Sequence, residues 1–170
     1  MAARHLMLHV KAFVLLILVS TMVGCEGSGE RTHEEVRIAG ETFSLELVTD
    51  DAGRERGLGG RTEIPEGGGM MFVFPDAAER SFWMKDCVIA IDLIFLGPTG
   101  RVLAVHSMPA EEPRGPDETE FAYESRLTPY RSFGPAQYAI ELEVGSISRL
   151  GVQVNDRIDL NFTDLKMLAR

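Results

Sequence analysis

The chain has 170 residues, with 26 Asp and Glu against 17 Lys and Arg and a formal charge of −9. That balance repels polyanions, and no Lys/Arg cluster builds a local basic face, so nucleic-acid binding is disfavoured. Two cysteines are too few for a disulfide-stapled scaffold, and the length suits one domain with a core of its own.

Residues 1–24 have the character of an export signal. Arg4 and Lys11 precede the unbroken apolar run Ala12–Val19, and Met22-Val23-Gly24-Cys25 closes it as a lipobox. The apolar stretch extends only to Gly24, short of the ~20 residues that span a bilayer, which favours a cleaved signal over an anchor helix. Processing at Cys25 would leave a lipidated N-terminus on a membrane, more than one acyl chain holding it durably. It would also remove two cations and no acid, taking the formal charge from −9 to −11. The expected location is the cell envelope, at the periplasmic or outer face. The alternative is plain cleavage, with Cys25 free to pair with Cys87; otherwise Cys87 is a small buried hydrophobe.

Residues 25–35 are polar and glycine-containing, which predicts a flexible tether of roughly 18 Å. The β-rich domain is expected over 36–162, with 163–170 as a C-terminal tail. Alternation in Val36-Arg37-Ile38 and Phe43–Leu47 around Ala39-Gly40-Glu41 predicts a hairpin with Phe43, Leu45 and Leu47 inward. Thr49 can cap a short helix over Asp50–Leu58, acids first and arginines last, ended by Gly57, Gly59 and Gly60. Strands follow at Met70–Phe74, Phe82–Lys85, Ile91–Leu96 and Val102–Ser107. Pro109–Arg131 has no period and carries many acids, so it is expected as a solvated loop; its acids lack the spacing of a calcium site.

Tyr138–Val144 alternates strictly, with Tyr138, Ile140, Leu142 and Val144 inward and Ala139, Glu141 and Glu143 on a solvated outer face. A turn of helix over Ser146–Leu150 and a last strand at Arg157–Phe162 complete the domain. The class is mainly β, a compact β-barrel or sandwich-like single domain with one or two short helices.

Three blocks resemble a known family: Arg56-Gly57-Leu58 with Arg61 and Pro65; Gly69-Met70-Met71-Phe72-Val73-Phe74-Pro75; and Phe82-Trp83-Met84-Lys85 running into Ile91–Phe95. With the Tyr138–Leu142 strand, Gly145, Gly151 and Asp156 they are similar to the prokaryotic family named domain of unknown function 192, over about Phe43–Leu160. The resemblance implies a small exported β-rich domain with no established reaction and no catalytic residues to carry over. This chain departs from the pattern with Asp86-Cys87 after the Phe-Trp-Met-Lys block, with Gly59, and with a longer acidic loop.

The sharpest physical clue is Asp92, a carboxylate inside the apolar run Cys87–Leu96. Burial without a partner costs several kcal/mol, so it is expected to recruit Arg56, Arg61 or Lys85 into one polar cluster beside Trp83. The structural reading is a tie between helix and sheet. The functional reading is a pocket offering a Trp wall and cations to a small anionic or carbohydrate-like ligand. His33 and His106 have no second ligand at metal spacing, Gly67-Gly68-Gly69 lacks a phosphate-loop context, and Ser107 and Ser125 lack that of a nucleophile. No cofactor is expected. The leading functional expectation is a lipid-anchored envelope module that binds a small ligand or an envelope protein. Its rivals are an enzyme using Lys85 and Asp92 as an acid/base pair and a structural accessory protein.

Overall fold

A computed structural model describes residues 31–170. The signal over 1–24, Cys25 and most of the tether lie outside the described residues. The domain is mainly β: one six-stranded sheet in the order β1-β2-β3-β6-β4-β5, with four short helices. Its strands are β1 (His33–Ile38), β2 (Glu41–Val48), β3 (Gly68–Phe82), β4 (Ile91–Leu96), β5 (Val102–Met108) and β6 (Tyr130–Glu143). The sheet is open, with β1 and β5 at its edges, so of the two expected architectures the layered, sandwich-like one holds and the closed barrel does not.

The β1–β2 hairpin turns on Ala39 and Gly40, both at positive φ (48° and 93°), the primed geometry that matches strand twist. β1 begins at His33, earlier than the expected domain start, because Glu34 and Glu35 pair with Leu45 and Ser44. From β2 the chain crosses over α1 (Asp51–Arg56) to β3, which pairs with β2 in parallel. Asp50, one residue after the expected Thr49, caps α1 by accepting from the Gly53 amide at 2.7 Å.

β3 runs unbroken through Pro75 to Phe82, where two separate strands were expected. The register shifts between Val73 and Ala78 explain this: an irregular stretch tolerates a residue that donates no ladder hydrogen bond. Straight strand would put Phe72 and Phe82 ~33 Å apart. Their ring centroids are 5.0 Å apart, so the far half of β3 folds back over the sheet face.

Pro109–Arg131 is not loop throughout. It holds α2 (Glu120–Arg126), capped by Thr119 and fastened by buried Tyr123, whose hydroxyl accepts from the Asp86 amide at 2.9 Å. α3 (Ser146–Leu150) forms as expected, closed by Gly151. The last strand does not: Arg157 makes one bridge with Arg101, and Phe162–Leu168 is helix α4, which buries Leu165. The expected tail is thus mostly core-bound helix.

Both faces of the sheet are covered. One core gathers Ile94, Leu96, Tyr138, Ile140 and Leu142 with α3 and α4. The other gathers Phe72, Phe74, Leu93, Phe95 and Ala139 with Leu58 and Met84 from the connections. Residue parity in the two central strands therefore decides which core each side chain enters.

Candidate functional site

Asp92 is fully buried, as its surroundings demand, but the expected cluster does not form. It shares the first core's face with Ile94 and Leu96, where Ser107 Oγ donates to Oδ1 at 2.6 Å and the Ile147 amide donates to Oδ2 at 2.8 Å. A neighbouring strand and the start of α3 satisfy it without a cation.

The basic groups lie elsewhere. Arg61 forms a two-pronged bond to Glu46, 2.5 Å on each arm, tying the loop after α1 to β2 and holding the Glu46 carboxyl below its ordinary range. Lys85 pairs with Glu120 and with Glu124 on α2, and these bonds raise its basicity. Arg56 is exposed and has no ion pair among the described residues. Lys85 stands on the second core's side while Asp92 faces the first, so the sheet separates the proposed acid/base pair.

What the structure does assemble is a cleft of about 490 Å³ on the second face, under α1 and the fold of β3. Phe72, Phe74, Phe82 and Trp83 line it. Phe82 packs edge-on against Phe72, Phe74 and Phe95, which fixes the aromatic floor. Trp83 stands at the rim, 42% exposed, with Lys85 Nζ 5.9 Å from its ring centre. Of the five residues expected in one site, Arg56, Trp83 and Lys85 meet at this cleft, and Arg61 and Asp92 do not.

The remaining cations are held in place by the protein itself. Arg54 donates to the Val73 carbonyl at 2.9 Å and to Asp51 at 2.7 Å; Arg80 donates to Asp76 at 2.5 Å. Their guanidinium groups lie 5.5 and 4.2 Å from the centre of the Phe74 ring. The aromatic faces here attract cations.

Glu141 also lines the cleft, and sequence reasoning placed it wrongly on a solvated outer face. It is 5% exposed, and its Oε2 is buried without a hydrogen bond. Across the ladder it meets Met70 and Leu93, neither of which can donate from its side chain. Desolvation pushes its carboxyl from 4.5 up to about 8, so it is protonated at neutral pH. Glu34, which holds the other buried carboxylate oxygen without a hydrogen bond among the described residues, has Arg31 as an ion-pair partner.

Gly57 packs its backbone beside Glu141. Its φ of 48° and ψ of −134° suit glycine, and a Cβ there would sit 3.5 Å from Phe72 Cζ and 3.8 Å from Glu141 Oε2. Cys87 shares the lining, its thiol pushed up to about 12 by burial first and then by the charges of Glu141 and Asp86, so it is a poor nucleophile. Among the described residues no three His, Cys, Asp or Glu gather as a metal site, and no helix is long and apolar enough to cross a membrane.

A family model described as "Uncharacterized ACR", DUF192, matches residues 34–160. No curated protein matches the chain. Two solved structures resemble it. A protein of unknown function from Novosphingobium aromaticivorans is 28% identical, with TM-score 0.62, over 75% of this chain and 85% of its own. A proposed transcription regulator from Sinorhizobium meliloti is 27% identical, with TM-score 0.59, over 77% of this chain and 97% of its own.

Proposed function

Because the chain belongs to the DUF192 family, whose description names no reaction, we propose a function from the cleft itself: a small-molecule-binding module, held at the cell envelope by lipid on Cys25. Buried Glu141 carries this reading. A carboxyl kept dry, without a hydrogen bond on one oxygen, costs folding free energy and stabilises nothing around it. Such a group set among aromatic walls in an open cleft is what a ligand site requires.

The transcription-regulator description belongs to the Sinorhizobium protein. This chain's formal charge of −9 opposes contact with a polyanion. The anchor half of the proposal rests on the lipobox ending at Cys25 and on the short apolar run before it.

Trp83 is the one tryptophan of the chain and lines the cleft, so its fluorescence reports occupancy. The test titrates the full chain with simple amines, alcohols, carboxylates and pyranoses. The reading expects at least one to give a saturable change in Trp83 emission that Glu141→Leu abolishes. No saturable change with any of them contradicts it. Fractionation of cells making Cys25→Ala tests the anchor: release from the membrane is expected, and retention refutes lipidation.

A further inference from the structure

We infer that the cleft takes a small organic amine in its ammonium form, its N–H groups donating to the carboxylate of Glu141 between the aromatic walls. The inference rests on the ligand-binding reading above and names the ligand's chemistry.

The charges around the cleft favour a cation. Arg54 is matched by Asp51 and Arg80 by Asp76, while Lys85 faces Glu120 and Glu124, with Arg114 also on Glu120. The lining itself balances, with Arg54, Arg56, Arg80 and Lys85 against Asp51, Glu55, Asp76 and Glu79; counting Glu120 and Glu124 around Lys85, and Arg114 on Glu120, leaves one negative charge in surplus before Glu141 ionises. The aromatic cluster points the same way: Arg54 and Arg80 already lie near the Phe74 ring and Lys85 near that of Trp83, as their π-faces favour. An anion would meet no surplus of positive charge: Arg56 is the one cation without an ion pair among the described lining residues, and Glu55 and Glu79 outnumber it.

An ammonium also answers the unmet need of Glu141. Once ionised, that side chain can only accept hydrogen bonds, and its ladder neighbours Met70 and Leu93 offer none from their side chains. Binding transfers the Glu141 proton to solvent, while the ligand keeps all its own protons. Near neutral pH close to one proton leaves per ligand bound.

The groups facing Glu141 do not blur this linkage. From α1 and its end come Asp51, Arg54, Glu55 and Arg56; from β3, Asp76, Glu79 and Arg80; from the following loop, Lys85, Asp86 and Cys87. The Lys85 amine is raised further above neutrality and the Cys87 thiol sits near 12, so neither titrates between pH 6 and 8. His106 is outside the lining, its ring against Tyr130 and Phe133.

The probes are n-butylammonium chloride and its neutral counterpart n-butanol, titrated into the full chain at constant ionic strength and read through Trp83 emission. Butylammonium is expected to saturate, tightening roughly tenfold from pH 6 to 7 and levelling above pH 8. Glu141→Gln, checked for its fold by circular dichroism, should abolish that binding, and His106→Gln should keep the slope. Butylammonium affinity that is flat with pH, equal to that of butanol, or retained by Glu141→Gln overturns the amine assignment. If butylammonium fails while another of the simple probes saturates, the cleft is a site for a different ligand class; if none saturates, the binding reading falls as well.

Discussion

Glu141→Gln should change how stability depends on pH, and the size of that change follows from burial alone. A carboxyl at about 8 in the folded chain and near 4.5 when unfolded binds more protons folded than unfolded throughout that interval. Stability must therefore fall as pH rises from 4.5 to 8, by about 1.4 kcal/mol per unit. At pH 7 the accumulated loss is about 3 kcal/mol, a sizeable part of the ~5–15 kcal/mol that a domain has. The amide does not titrate, so the variant lacks this slope whatever constant offset its own hydrogen bonding adds. Urea denaturation of both proteins at pH 5, 6, 7 and 8 measures it, since every other titrating group cancels in the difference. The variant should gain on the wild type by about 1.4 kcal/mol with each unit. Parallel stability curves would refute the argument that Glu141 is held neutral by desolvation.

Other consequences can be checked alongside. Asp92→Ala strands the Ile147 amide and the Ser107 hydroxyl in the first core and should cost roughly 3 kcal/mol in a denaturation measurement, whereas Lys85→Met, at a partly exposed ion pair, should cost under ~1 kcal/mol. Equal losses would restore a link between the two residues that the geometry denies. The Cys87 thiol, buried and near 12, should react with a disulfide reagent at pH 8 only on the timescale of unfolding; prompt reaction would show the cleft to be more open than described.

Much of this architecture could be read from the sequence, and the failures share a cause. Local signals located α1 and α3 within a residue or two and the β1–β2 hairpin within three, because turn glycines, caps and alternation act over a few residues. The burial of Asp92 was equally readable from its apolar neighbours. Its partners were not, since Ser107 lies 15 residues and Ile147 55 residues further along the chain.

Glu141 was misplaced because alternation in Tyr138–Val144 was taken to mean one wet face. A usable signal existed nonetheless: Met70–Phe74 is apolar throughout and Ile91–Leu96 is apolar but for Asp92, as strands covered on both faces are, and β6 lies between them. A strand in that position has no wet face, so alternation of large apolar residues with Ala139 and Glu141 separates two cores. The α2 helix in the acidic segment was hidden for a different reason. It is short and buries Tyr123 alone, too little to create a period.

The cleft is a site above all because Glu141 carries its proton at neutral pH inside it. A carbon-13 NMR titration of its side-chain carboxyl, assigned by the resonance missing from Glu141→Gln, reads that state without any ligand. The midpoint should fall near 8. A midpoint in the ordinary glutamate range near 4.5 would mean that water or a donor reaches the carboxylate, and the cleft would lose the group that makes it a site.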